Sequence, residues 1–418
     1  MSASPGGRRP RLVLVTAHRW LHTVHLALAA RDAGFDVALV GPAGHPVARL
    51  AWVATPGLLA PLRRARSVAR ALDRLGADVA VVPVDDVAEA AVVEAYRRGL
   101  LGRPASAAVV RSLGDPETFE RRGRRVATTA VARDAGVDVP RTLELASADR
   151  LEAALHEVGL PAVLKTDGSW AGQGVVVVQD LAQAREAYAR LARRPSLPRG
   201  LVRWWKDDDA SYVADPRAVP RVSVQTFVPG TPATISVACW EGEVLGEVAL
   251  RVVPTDALGH GPATLVEPVE PGELGDAARA LVKELGLSGL CGLDFQVRPD
   301  GGAAFLELNP RATPTAHLPT RTGDRLLDLL APHFGAAPSG HPERAAPVPP
   351  VALYPQERVR DAASPWVGTE HEDVPAHAPD AVAVVTEAFG APVPSTRARI
   401  ARARAARAGL DGGRRSRP

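Results

Sequence analysis

The chain of 418 residues is 46% hydrophobic and 23% charged, enough apolar material for two or three folded domains and too much for a disordered chain. The formal net charge is +3, but residues 397–418 hold eight Arg and one Asp, so the remainder sums to −4. The basic excess is a tail and does not mark the body as a nucleic-acid binder. No apolar run is long enough to cross a membrane and no signal core follows the basic, Pro/Gly-rich start at 1–10, so the expected location is the cytoplasm. Cys239 and Cys291 each lie in an apolar segment and read as reduced core thiols.

From residue 11 short apolar strands alternate with helical stretches. Leu12–Val15 is a strand, 18–33 a helix stopped by Gly34, Asp36–Val40 a second strand, then an Arg/Ala-rich helix, a strand at 77–82 and a helix at 87–98. This rhythm predicts a Rossmann-like parallel sheet over 11–115, covered by helices. No G-x-G-x-x-G follows the first strand, so a dinucleotide site has no support. His18, His22 and His25 at i, i+4, i+7 would share one helix face at a strand's carboxyl end. No Cys or carboxylate nearby completes a zinc shell, which favours a substrate contact. A helix is then expected over 126–134, closing at Gly136 before a strand near Val139.

Pro161–Lys165 reads as a strand with Lys165 at its end, followed by TDGSWAGQG and a strand at 175–178. A P-loop has its Lys after the glycines and opening a helix; here Lys precedes them and a strand follows. That order predicts a hairpin flap in which Ser169, Gly172, Gln173 and Gly174 cover phosphates while Lys165 neutralises them. Trp204–Trp205 and the acids after them read as a packing ridge. A hairpin over 234–253, turning at Glu241-Gly242, ends at Arg251, whose fork suits a substrate carboxylate.

After a helix over 276–285 comes a second hairpin, Leu290–Val297 and Ala303–Leu308 around RPDGG. Glu307 and Asn309 share one face of its second strand. If Asp294 pairs with that end, two carboxylates and one amide oxygen converge, a set suited to Mg²⁺ or Mn²⁺. Arg311, just past the strand, is placed to reach a phosphate. Beyond 330 the chain is Ala/Pro-rich with a strand expected at 351–354, and from 395 an Arg/Ala tail lacks an apolar face.

Asp294-Phe295 and Glu307-Leu-Asn-Pro-Arg311, with Lys165 and its flap, resemble the ATP-grasp ligases over roughly residues 10–335. The resemblance implies a pre-ATP-grasp domain at 11–115 and a two-lobed ATP-grasp domain at 116–335, with lobes at about 116–222 and 223–335, then an extension at 336–394 and the tail at 395–418. It places Arg125 where the family often has a phosphate-binding Lys. RVSVQTFVPG at 221–230 is similar to the interdomain strand, which makes Gln225, Phe227 and Val228 adenine contacts; Pro232 stands where a ribose-binding Glu is common. ATP with Mg²⁺ is the implied cofactor pair, Lys165 and Arg311 are the implied catalytic residues, and Arg251 and His317 are substrate contacts. The implied reaction joins a small-molecule carboxylate to an amine through an acyl phosphate, with no nucleic-acid or membrane partner and a homodimer as the possible assembly. The alternative is a nucleotide-binding regulatory or scaffold protein without turnover, favoured by Arg125 and Pro232.

Overall fold

The computed structural model describes residues 9–167, 174–193, 196, 198, 220–255, 263–338 and 348–390. The flap residues Ser169, Gly172 and Gln173, the Trp204–Trp205 pair and the Arg-rich tail lie outside them.

The N-terminal unit is a parallel sheet of β1 (Arg11–Val15), β2 (Asp36–Gly41), β3 (Val53–Leu58) and β4 (Val79–Pro83) in the order β3-β2-β1-β4. Helices α1 (Thr23–Asp32), α2 (Arg64–Leu75), α3 (Asp86–Arg97) and α4 (Arg103–Leu113) connect and cover it. Continuous Val/Leu runs suit β1 and β4 because both faces are covered. The sequence reading missed β3: VATPGL carries Pro and Gly and is partly exposed at the sheet edge, so it shows no apolar run.

The helix expected from residue 18 begins only at Thr23. Buried Asp85 explains the delay. Its carboxylate accepts from Thr16 Oγ1 and Ala17 N, both at 2.7 Å, and from Ala88 N at the start of α3. The chain leaving β1 is thereby tied to α3, and His18 and His22 lie in that connection instead of on one helix face with His25.

Two short helices follow, α5 (Phe119–Arg122) and α6 (Arg125–Asp134). The strand expected near Val139 begins only at Thr142; Val131, Val137 and Val139 pack with the core of the largest sheet. The small antiparallel sheet comprises β5 (Thr142–Leu145), β6 (Ala162–Thr166), β7 (Val175–Val178) and β8 (Val222–Thr226), in the order β5-β8-β6-β7. Residues 222–226 thus belong to this sheet, not to the junction between lobes. Helices α7 (Leu151–Val158) and α8 (Leu181–Leu191) cover the face bearing Ala162, Leu164, Val222 and Val224.

The third sheet is antiparallel, with β9 (Thr231–Trp240), β10 (Glu243–Val252), β11 (Leu265–Pro268), β12 (Gly289–Val297), β13 (Ala303–Asn309) and β14 (Val351–Ala352) in the order β13-β12-β9-β10-β11-β14. The β9–β10 turn carries positive φ at both Glu241 (48°) and Gly242 (84°), the twist-matched hairpin geometry. One face packs on the helix Gly272–Glu284; the other joins Leu12, Leu14 and Val24 of the N-terminal unit in a single core. The segment after 348 adds Val351, Leu353, Tyr354, Ala381 and Val385 to that shared core. No described helix is long and apolar enough to cross a membrane.

Candidate functional site

Cross-strand partners share a sheet face. Asp294 pairs with Glu307 and with Thr234, and Gly292 with Asn309, so the expected Asp294–Glu307–Asn309 set does lie on one face of the large sheet. Between the Asp294 and Phe295 pairs Leu306 has no partner, a β-bulge of the kind that re-aims side chains beside sites. Gly292 is needed for the loop beyond: a Cβ there would meet Thr313 Cγ2 at 2.2 Å.

The small sheet presents its own face by the same rule. Lys165 pairs with Ser223 and Val163 with Gln225, which pairs in turn with Thr142. Four polar residues therefore line the side that α7 and α8 leave open. All four are buried; Gln225 Nε2 donates to Thr142 Oγ1 at 2.9 Å, and Ser223 Oγ has no partner among the described residues. Phe227 and Val228 are half-buried in the chain leaving β8, and Gly174 O accepts from Thr166 N at the flap's base.

Arg125, at the start of α6, joins the two faces. Its Nε donates to Glu307 Oε2 at 3.0 Å, and its Nη1 to Thr166 O at 3.3 Å and Asp167 Oδ1 at 3.4 Å. Burial pushes the Glu307 carboxyl up, but the charges of Arg125 and Lys165 outweigh it and hold the group at about 2. Asp294 is pushed up to about 6, by burial first and then by the Glu307 charge. Burial brings Lys165 down to about 8, against the pull of Glu307 and Asp294.

The Lys165 value gives a test. The unfolded chain keeps this ammonium protonated above the folded value, so between pH 8 and the ordinary Lys range it binds more protons and stability should rise with pH. Denaturation of wild type and Lys165→Met should show their stability difference growing in favour of wild type across that window. A pH-independent difference would contradict the buried ammonium.

Two paired carboxylates beside Arg and Lys suit a hard divalent cation. Asn309 is turned elsewhere: Nδ2 donates to Asp294 Oδ2 at 2.9 Å and Oδ1 accepts from Arg311 Nη2 at 3.1 Å. Asp294 and Glu307 fit a metal once Arg125 gives up Glu307, and Asn309 supplies its oxygen only after releasing Arg311. Arg311 itself grips Asp86 with two bonds, at 2.7 and 3.1 Å. Its loop is anchored by Ala312 N on Pro83 O, and by Thr313 and Thr315 on Ser236 of β9.

His317 lies at the end of this loop, stacked on His25 with ring centroids 4.2 Å apart. Arg251 does not join the site. It pairs with Ala233, whose β12 partner is Phe295, one residue off the Asp294 row, so strand alternation turns it to the opposite face, where Glu267 takes it on the surface. The sequence reading missed Asp86 and Asp167; single acids in turns and helix starts carry no periodic signal.

Residues 201–315 match the model of the ATP-grasp domain. The chain is 30% identical over 302 residues to the D-alanine–D-alanine ligase of Anaeromyxobacter dehalogenans, an alignment covering 66% of this chain and 87% of that protein. It is 25% identical over 217 residues to the carbamoyl phosphate synthase large chain of Gemmatimonas aurantiaca, 52% of this chain but only 18% of that one. Among solved structures, the L-amino acid ligase from Bacillus licheniformis superposes with a TM-score of 0.53 at 14% identity, over 80% of this chain and 76% of that one. The paired carboxylates, the facing Lys sheet and a relative matched over most of its length agree, and the chain belongs to the ATP-grasp superfamily.

Proposed function

We propose that this chain is an ATP- and Mg²⁺-dependent ligase that joins the carboxylate of a small acid, of the amino-acid class, to an amine. The observation that carries the reading is the meeting of Asp294 and Glu307 with Lys165, Arg125 and Arg311 between two sheets. The amino-acid class is suggested by the names of the D-alanine–D-alanine ligase and the L-amino acid ligase, the first matched over most of its length and the second over about three quarters.

In this reading the nucleotide lies against the polar face of the small sheet, with Gln225, Phe227 and Val228 at the adenine. Mg²⁺ held by Asp294, Glu307 and a reoriented Asn309 would offset phosphate charge. Lys165 and Arg125 hold phosphate oxygens, Lys165 from a buried strand end where its charge is little screened. Arg311, swung from Asp86, stabilises charge as the γ-phosphoryl group moves to the acid. Attack of the carboxylate oxygen on that phosphorus breaks the bond to ADP and leaves an acyl phosphate. The amine then attacks the acyl carbon and phosphate leaves, so ADP, phosphate and an amide are the products.

Turnover with ATP, Mg²⁺, hydroxylamine and a panel of amino acids should release ADP and phosphate in equal amounts and yield a hydroxamate with at least one acid. ADP release with a persisting acyl phosphate would make the protein a kinase. No ADP release with any acid, alongside measurable nucleotide binding, would favour a regulatory nucleotide-binding role.

A further inference from the structure

Asp86 opens α3 of the N-terminal unit, yet the bonds that run on from it end on the metal hairpin. Arg311 Nε and Nη2 donate to the two Asp86 oxygens at 2.7 and 3.1 Å, and the same Nη2 donates to Asn309 Oδ1 at 3.1 Å. Asn309 Nδ2 donates in turn to Asp294 Oδ2 at 2.9 Å. These neighbours fix which way the amide lies. A guanidinium can only donate and an ionised carboxylate can only accept, so the oxygen must face Arg311 and the NH2 group must face Asp294.

A hard cation beside Asp294 takes oxygen ligands, and the Asn309 NH2 group is no ligand for it. Turning the amide over would set that NH2 group against Arg311 Nη2, donor against donor. Asn309 therefore cannot give its oxygen to a metal while Arg311 keeps its place, and whatever holds Arg311 opposes the metal.

Asp86 is that hold. The other acids at the start of α3 are engaged elsewhere: Asp85 by Thr16 and the Ala17 and Ala88 amides, Glu89 by Arg122. Arg311 Nη1 donates only within its own loop, to Ala312 O at 3.3 Å. That loop docks independently of Asp86, through Ala312 N on Pro83 O and through Thr313 and Thr315 on Ser236. The Asp86 and Arg311 side chains are 28% and 10% exposed, so solvent reaches the pair and it can part without unpacking a core.

We propose that Asp86 is a positioning residue for the metal site: through Arg311 it keeps the Asn309 amide turned with its nitrogen to Asp294, and parting of Asp86 from Arg311 lets Asn309 present its oxygen. The grip and the metal are then linked, and a metal that loosens the grip binds more tightly where the grip is weak. This rests on the ligase reading above, in its assignment of Mg²⁺ to this hairpin.

The test is titration calorimetry of the full chain with ADP alone and with Mg·ADP. Asp86→Asn should lower the Mg²⁺ concentration for half-maximal Mg-dependent binding by at least about fivefold, the lower end of ordinary coupling between sites. Binding of ADP alone should shift less than about twofold, the scatter of independent sites. A loosened fold would weaken both, so a selective gain reports the grip itself. In an Arg311→Gln background, Asp86→Asn should add less than about twofold, because no guanidinium is left to hold. Asp86→Glu keeps the charge but spoils the two-bond fit; it should show part of the gain, and it carries the test should Asp86→Asn fail to fold.

Unchanged or weaker Mg-dependent binding in the folded Asp86 variants overturns this inference and leaves the ligase reading standing; weaker binding would mean that the freed Arg311 turns onto Asp294. A gain that persists in full without the Arg311 guanidinium also overturns it. ADP binding that does not depend on Mg²⁺ in the wild type overturns both.

Discussion

Lys165→Ala should lower kcat/KM for ATP by about 10²–10³-fold, the range seen when one preorganised charge is removed from a phosphoryl or acyl transfer site. The residue is 6% exposed at the end of β6, on the same sheet face as Ser223 and Gln225, and it senses Glu307 and Asp294 across the cleft. Its substitution removes a cation without disturbing the opposite face, where Leu164 and Val224 pack under α7 and α8. The melting temperature should therefore hold or rise, since burial already disfavours the charged form. Isothermal titration with ADP and steady-state kinetics separate the two effects. Wild-type nucleotide affinity and turnover in this variant would remove the small sheet from the site.

Glu307→Gln should weaken Mg²⁺-dependent nucleotide binding by about 100-fold, the upper end of what even a metal's outer partners contribute. One of two paired carboxylates is neutralised, and Arg125 loses its main partner. Arg125 keeps Thr166 O and Asp167, and the Glu307 side chain is 29% exposed, so the stability loss should be only about 1–2 kcal/mol, below that for breaking a fully buried pair. Binding of Mg·ADP measured against ADP alone is the decisive comparison. If both fall equally, Glu307 acts through Arg125 and not through the metal.

Much of this site was legible because it sits on strands. Alternation makes Glu307 and Asn309 neighbours whatever the tertiary fold, and the apolar run ending in Lys165 fixes that residue at a strand terminus. Contacts that depend on which elements meet were not legible. Arg311 gripping Asp86 spans 225 residues, and nothing local in either segment announces the partner. Arg251 fails for a related reason: its type suits a carboxylate, but its face is set by a register with β9 that sequence does not display. The histidines before α1 read as a helical face because their spacing is helical; the tie from Asp85 to Thr16 and Ala17, a tertiary constraint, unwinds that stretch. The segment after 348 looked like an appendage for want of long apolar runs, yet single residues, Leu353, Tyr354 and Val385, complete a core shared with the first strand.

Arg125 bridging Glu307 to Thr166 and Asp167 gives the resting cleft its own counter-ions. On the ligase reading, nucleotide entry would be an ion exchange: a phosphate oxygen would take over the guanidinium and a divalent cation the carboxylate it leaves. The affinity would then be the difference between two ionic states of similar charge, with added salt screening both sides of the exchange. Nucleotide binding should accordingly vary with ionic strength far less than the three cations Arg125, Lys165 and Arg311 would produce in a cleft that met its ligand unpaired.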